Sequence, residues 1–344
     1  MRDTPTYRPQ GTQEDRRYLL ETLRESAGTY VSGTQLSEHL GISRTAIWFK
    51  IQALKNAGFE IDAMPQRGYK LDAVPNILHA ILLDEAAQAQ EAKTALLYYP
   101  VLDSTNDEAE RQLAKGLQAP FAILSGRQTA GRGRRQREWH SESNENLYLT
   151  VAFEPRLPAS RLQHFTLWSG IHLCQALQEL VPQAPLQVKW PNDLYCNGRK
   201  FAGMLAEARM DAEGLNTLLF GFGLNVNSDP GNYPEELRQT ATSLLAASGK
   251  ELPLNQVAVL CVEAIRKAYE TCIQDTDAAA EALLKAWEPL DSLAGQTVRA
   301  TGNESTLEGT ARGIDATGAL RIEDSQGKTH LVHAGDVTLA SAGA

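Results

Sequence analysis

The sequence predicts an α+β protein in three parts: a winged helix-turn-helix over residues 1–75, a central mixed-sheet α+β domain over 76–290, and a small β-rich piece over 291–344. Three observations carry this. Helical spacing governs the first part, strands and helices interleave through the middle, and the last part consists of short alternating segments broken by glycine. A chain of 344 residues also has the length for two or three domains and a sizeable core.

The N-terminal elements follow from capping and periodicity. Residues 14–27 place Tyr18, Leu19, Leu20 and Leu23 at helical spacing, and Gly28 ends that helix. Segment 32–40 reads as a short capped helix, Gly41 allows a tight turn, and Ser43 caps a longer helix whose Ile47, Ile51 and Leu54 face inward. This is a helix-turn-helix over about 33–52. Segments 59–63 and 68–71, joined by Met64, Pro65, Gln66 and Arg67, predict a hairpin that serves as the wing. The outward face then offers Arg44, Thr45, Trp48, Gln52 and Lys55 to a groove and its phosphates, with Arg67 at the wing tip. Such a module also occurs as inert packing, and that alternative stands at this point.

Charge separates this piece from the rest. Residues 1–74 hold ten Lys plus Arg against nine Asp plus Glu, and the remainder holds 23 against 33, for a net charge of −9. That argues against a chain that coats nucleic acid through bulk charge. No apolar run approaches the roughly 18 residues of a membrane helix, and residues 1–10 are polar without a signal-peptide core, so the cytoplasm and no membrane partner are expected. Cys174, Cys196, Cys261 and Cys272 lack CxxC spacing, which suggests neither a metal site nor a disulfide framework.

Pro75 marks the boundary to the central part. There the pattern predicts a helix over 77–92, a strand over 96–101, a Ser104-Thr105-Asn106 turn and a helix over 107–117. Strands over 121–125 and 147–153, a helix over 164–180, a strand ending in Lys189-Trp190, strands over 201–208 and 217–225, and two helices within 255–287 complete it, with helices packed against one side of the sheet. Between two of these strands lies Gly131-Arg132-Gly133-Arg134-Arg135-Gln136-Arg137-Glu138-Trp139. Its guanidinium groups are planar paired donors suited to phosphate or carboxylate, and its glycines allow unusual backbone angles and close approach to a ligand. By composition alone, an exposed basic run, a nucleic-acid patch and a small-molecule loop all fit.

The order of motifs narrows this. The arginine loop, then Lys189-Trp190-Pro191-Asn192-Asp193, then Lys200-Phe201-Ala202-Gly203, flanked by Asp103-Ser104-Thr105-Asn106 and by Gly221-Phe222-Gly223-Leu224-Asn225-Val226-Asn227, resemble the biotin protein ligases over residues 95–290. Gly41-Ile42-Ser43-Arg44-Thr45-Ala46-Ile47 and Arg67-Gly68-Tyr69-Lys70-Leu71 resemble the DNA-binding domain of the members that also repress biotin synthesis. The segments 296–300, 307–314, 319–322 and 330–333 resemble the SH3-like β-barrel that closes those bifunctional ligases.

The resemblance implies an ATP-dependent enzyme that makes biotinyl-5'-AMP and transfers biotin to a lysine of the biotin carboxyl carrier protein of acetyl-CoA carboxylase. It implies ATP with Mg²⁺ and biotin as ligands, operator DNA as a partner, and a homodimer when biotinyl-AMP is bound. Lys200, Arg132 and Arg134 are then the expected catalytic cations, meeting charge that builds on the phosphoryl oxygens. Ser104, Thr105, Asn106 and Gln128, with Gly131 and Gly133 main-chain amides, are expected around biotin, whose ring urea needs short polar partners. Lys189, Asn192, Asn225 and Trp139 are expected near the nucleotide. Without the resemblance Lys200 reads as a surface lysine of a hairpin, and Trp139 as a core residue. Two departures stand out. Phe49 occupies a position usually basic or polar, either solvent-facing or rotated into the core, and Ala340 stands where some relatives carry an arginine, leaving Arg299 or Arg312 to replace it. Rival readings are a ligase whose winged helix is not regulatory, a biotin sensor without catalysis, and a lipoate or octanoyl transferase; the arginine loop and the Lys-Trp-Pro-Asn-Asp segment argue against the last. No general base for the transfer step is evident.

Overall fold

In the computed structural model, residues 12–26, 28–141, 144–211, 214–274, 279–301 and 306–340 are described; the polar 1–10 stretch and Ser341 lie outside them. The first unit contains α1 (Thr12–Glu25), α2 (Gly33–Leu40), α3 (Arg44–Asn56) and a hairpin of β1 (Glu60–Met64) and β2 (Gly68–Ala73). Ser32 caps α2 through Thr34 N–H and Ser43 caps α3 through Ala46 N–H. Gly41 takes a left-handed φ of 64°, which lets the chain turn between the two helices where a side chain would be strained. Leu19, Leu20, Leu23, Ile47, Ile51 and Leu54 are buried together.

The next element, α4 (Ala80–Ala89), belongs to two cores at once. Ile81 and Leu82 join the winged-helix cluster, while Leu83 and Ala86 join that of the central domain. Asn76 and Asn255 tie the same junction: Asn76 Nδ2 donates to the Leu252 carbonyl at 2.9 Å, and Asn255 Nδ2 to the Ile77 carbonyl at 2.7 Å. The segment around Pro75 is thus a packed joint rather than a loose linker.

The central unit runs β3 (Ala95–Tyr99), α5 (Thr105–Ala114), β4 (Phe121–Ser125), β5 (Leu147–Phe153), α6 (Phe165–Leu180), β6 (Leu186–Lys189), β7 (Asp193–Cys196), β8 (Arg199–Asp211), β9 (Gly214–Leu224), α7 (Glu235–Arg238), α8 (Leu244–Ser248), α9 (Leu254–Ile273) and α10 (Ala279–Trp287). Its seven strands lie in the order β3-β4-β5-β9-β8-β7-β6, with β3 and β4 parallel and every other pair antiparallel. Helices cover both faces, not one. Alternation along β4 sends Ala122 and Leu124 into the large cluster with α6 and α9, while Phe121 and Ile123 pack with Ala109 of α5 in a separate cluster. The sequence pattern missed this because these buried strands read as continuous apolar runs.

The last unit is a five-stranded antiparallel sheet of β10 (Thr297–Thr301), β11 (Thr306–Ile314), β12 (Leu320–Glu323), β13 (Thr329–Val332) and β14 (Asp336–Leu339), in the order β13-β12-β11-β10-β14. The expected SH3-like barrel is not closed: β13 and β14, each four residues long, form the two edges without a ladder between them. A register shift between Ala311 and Ile314, with Gly313 at φ 74°, interrupts the β11–β12 ladder. Val298, Ala311, Leu320 and Ile322 continue the central cluster without a break. No helix among the described residues is long and apolar enough to cross a membrane.

Candidate functional site

One cavity of about 300 Å³ opens between the arginine loop, the N-terminus of α5 and strands β8 and β9. Ser104, Thr105, Asn106, Gln128, Arg132, Gly133, Arg134, Trp139, Asn192, Lys200 and Asn225 all line it. Gly131 and Lys189 do not.

Glycines carve its floor. A Cβ on Gly221 would fall 2.6 Å from Asn106 Oδ1, one on Gly223 2.4 Å from Trp139 Cε2, and one on Gly203 2.9 Å from Trp139 Cζ3. Only a bare backbone leaves room for those two side chains. The Trp139 indole N–H is buried and has no hydrogen-bond partner among the described residues. Lys200 Nζ sits 5.2 Å from the same ring and pairs with Asp193 at 2.7 Å. Short bonds hold the Lys200 backbone: its N–H donates to the Thr240 carbonyl at 2.9 Å, and its carbonyl accepts from Thr242 N–H at 2.8 Å.

The neutral end of the cavity is a connected network. Thr105 N–H and hydroxyl both donate to Gln128 Oε1, at 2.8 and 3.1 Å, and Gln128 Nε2 donates to Ser141 Oγ at 3.1 Å. Thr150, fully buried in β5, lies 2.8 Å from Thr105 Oγ1 and 2.5 Å from Asn106 Oδ1. Ser104 is 3% exposed and takes the helix N-cap position, yet its hydroxyl makes no cap bond. Ser104 also lines the cavity. Ser141, Thr150 and Glu207 escaped the sequence reading; a single threonine inside the apolar run of 147–153 was the one available signal.

The loop itself differs from expectation in two ways. Neither Gly131 nor Gly133 adopts a left-handed angle; that conformation falls on Arg135, at φ 55°. Gly131 is instead required by contact, since a Cβ there would meet Ser141 Oγ and the Trp139 carbonyl at 2.6 Å. The Gly133 N–H is spent on the Arg137 carbonyl at 2.7 Å rather than aimed into the cavity. The cations are anchored individually. Arg134 Nη1 donates to Asn192 Oδ1 at 2.8 Å, and Asn192 Nδ2 in turn donates to the Met204 carbonyl at 2.7 Å. Arg132 pairs with Asp107 at 2.8 Å and Glu207 at 3.1 Å. From the C-terminal sheet, Asp336 accepts an ion pair from Arg137 at 2.6 Å and one from Arg135 at 3.4 Å.

Other candidate residues make contacts of their own. Lys189 turns to Tyr195, donating to its hydroxyl at 3.1 Å, and burial lowers its pKa. Asn225 faces the cavity but its Nδ2 donates to the Thr242 carbonyl at 3.0 Å. Arg299 pairs with Glu308 and Arg312 with Glu323, and neither is among the residues that line the cavity. On the winged helix, Arg44, Thr45, Trp48 and Lys55 are exposed and Gln52 half-buried. Arg67 is exposed as well, with its guanidinium stacked 4.4 Å over Tyr30. Phe49 faces solvent at 63% exposure, which removes the core alternative.

Residues 98–225 match the Biotin/lipoate A/B protein ligase family, 15–70 an HTH domain, and 294–339 the Biotin protein ligase C terminal domain. A bifunctional ligase/repressor BirA from Escherichia coli (strain K12) is 32% identical over 315 residues, covering 92% of this chain and 94% of that protein. One from Bacillus subtilis (strain 168) is 29% identical over 327 residues, covering 94% and 98%. Among solved structures, the biotin protein ligase from Aquifex aeolicus in complex with biotin and ATP superposes with a TM-score of 0.61 at 27% identity, covering 72% of this chain and 100% of that one. Matched along nearly its whole length, and with the motif residues gathered around one cavity, the chain belongs to the biotin protein ligase family in its three-part ligase/repressor form.

Proposed function

We propose that this protein activates biotin with ATP to biotinyl-5'-AMP, transfers biotin to one lysine of the biotin carboxyl carrier protein of acetyl-CoA carboxylase, and uses the adenylate-bound form to repress biotin synthesis. The observation that carries the ligase reading is the shared cavity: a buried hydroxyl and amide end at Ser104, Thr105, Asn106 and Gln128, and a cationic end at Arg132, Arg134 and Lys200.

In the first step a biotin carboxylate oxygen attacks the α-phosphorus, and the bond to pyrophosphate breaks. Charge accumulates on the phosphoryl oxygens, and Arg134 and Lys200 are the cations that meet it. Arg132 exchanges its partners Asp107 and Glu207 for the ligand anion. Trp139 covers the nucleotide side and offers its unpaired N–H. Mg²⁺ bound with ATP would be held mainly by the phosphates and would neutralise their charge: of the cavity carboxylates Glu138, Asp193 and Asp336, the last two are already paired with cations, which fits an ion with few protein ligands. In the second step the neutral lysine amine attacks the acyl carbon and AMP leaves, its charge held by the same cations.

The winged helix supplies the repressor half. Adenylate binding orders the loop of residues 127–139, favours a homodimer, and so presents two α3 helices to a two-fold operator. The ligase claim is tested by incubating the protein with ATP, biotin and a purified carrier domain and mapping biotin by mass spectrometry; a carrier left unmodified contradicts it. For repression, footprinting on a biotin-synthesis promoter is expected to show protection only when biotin and ATP are both present.

A further inference from the structure

The recognition helix carries two large exposed aromatic rings. Trp48 is 47% and Phe49 63% exposed, and the rings meet edge to face with centroids 4.9 Å apart and an interplanar angle of 72°. At about 100° per residue, Phe49 lies with Thr45 and Gln52 almost opposite the buried Ile47–Ile51–Leu54 stripe, so it stands at the crest of the outward face. Among the described residues, no packing explains this pair. Two adjacent aromatics in water forfeit the stabilisation that burial would give them, which marks a surface covered by a partner.

Charge identifies that partner. The chain carries a net −9, yet α3 holds Arg44, Lys50 and Lys55 and no acidic residue. Lys50 is tied to Asp15 at 2.8 Å, while Arg44 and Lys55 remain exposed beside the rings, with Arg67 across on the wing. A second copy seated on this face would press like charges together. A polyanion with an apolar surface inside a groove about the width of a helix matches both features, and the major groove of duplex DNA provides it, with phosphates on the rim and the C5-methyl groups of thymine within.

We propose that Phe49, braced by Trp48, reads thymine methyl groups in the operator. The bound site then carries thymines where the crest of α3 enters the groove. This rests on the DNA-binding reading above, and the two can fail separately. Phe49 has no N–H or O–H to offer a base edge, so its discrimination comes from burying methyls, worth about three- to fivefold in affinity for each.

The test uses the full chain saturated with biotin and ATP, duplexes selected from a random pool, and the same duplexes remade with deoxyuridine in place of thymine. The expected result is a thymine-rich half-site whose affinity falls about three- to fivefold for each methyl removed under Phe49, with Phe49→Ala indifferent to that removal and Phe49→Tyr still sensitive. Duplex binding whose base preference ignores both the methyls and Phe49→Ala overturns the inference and leaves DNA binding intact. Failure to retain any duplex at low salt overturns both. Concentration-dependent self-association abolished by Phe49→Ala, with DNA binding unaffected, assigns the rings to a protein contact and equally overturns it.

Discussion

The Trp139 indole fills the space that a side chain on residue 223 would need: a Cβ on Gly223 would lie 2.4 Å from Cε2 and 2.5 Å from Nε1. Gly223→Ala must therefore push the ring out of its seat. We expect the KM for ATP to rise about tenfold with biotin affinity less affected, and stability to fall by roughly 1–3 kcal/mol from overpacking. Combining it with Trp139→Ala should recover most of that stability. Thermal melts and separate KM values check both parts; equal effects on the two substrates would place the ring elsewhere.

Arg134 is held by Asn192 at 2.8 Å, so the pair should act together in retaining the intermediate. In Arg134→Ala, biotinyl-AMP should dissociate at least about tenfold faster, the loss of one charge-assisted hydrogen bond. Asn192→Ala should show a smaller increase in the same direction. Release of labelled adenylate through a membrane measures each rate, and unchanged retention in Arg134→Ala would remove it from the site.

Lys200 and Lys189 separate two roles for lysine. Lys200→Ala should slow single-turnover adenylate formation by about 10²–10³ while biotin still binds, as expected for a donor aimed at the developing charge. Lys189→Met should change the KM for ATP far less, because Lys189 faces Tyr195.

A pH effect distinguishes Lys189 further. Burial lowers its pKa below the ordinary 10.5, so the unfolded chain binds that proton more tightly than the folded one. The charged form costs stability at neutral pH, and that cost fades as pH rises from the folded value toward 10.5. Lys189→Met should lack this alkaline gain, readable in urea midpoints between pH 8 and 10.

Asp336 ties the arginine loop to the C-terminal sheet through Arg135 and Arg137. Asp336→Ala should free both arginines, which are already solvent-exposed, from the sheet and speed tryptic cleavage within the loop several-fold, without comparable change at other sites.

Much of this was legible in the sequence where a local rule decides. Ser32, Gly41 and Ser43 announce the helix-turn-helix because capping and left-handed turns are local. The strands at 121–125 and 147–153 fall where their apolar runs put them. What stayed hidden depends on distant partners. The hairpin partner β7 is only four residues long, and nothing local says that Gly203 and Gly223 face one indole. The strain at Arg135 and the clasp to Asp336 likewise arise from tertiary contacts, as does the second helical layer formed by α5.

On the function proposed here, the arginine loop, Lys200 and the glycine-carved floor form a biotin-adenylating pocket. Exchange of labelled pyrophosphate into ATP by the purified full chain tests it most directly, with biotin and lipoate in parallel. Exchange is expected with biotin, is absent with lipoate and collapses in Lys200→Ala; exchange supported by lipoate and not by biotin would rule out a biotin-adenylating pocket.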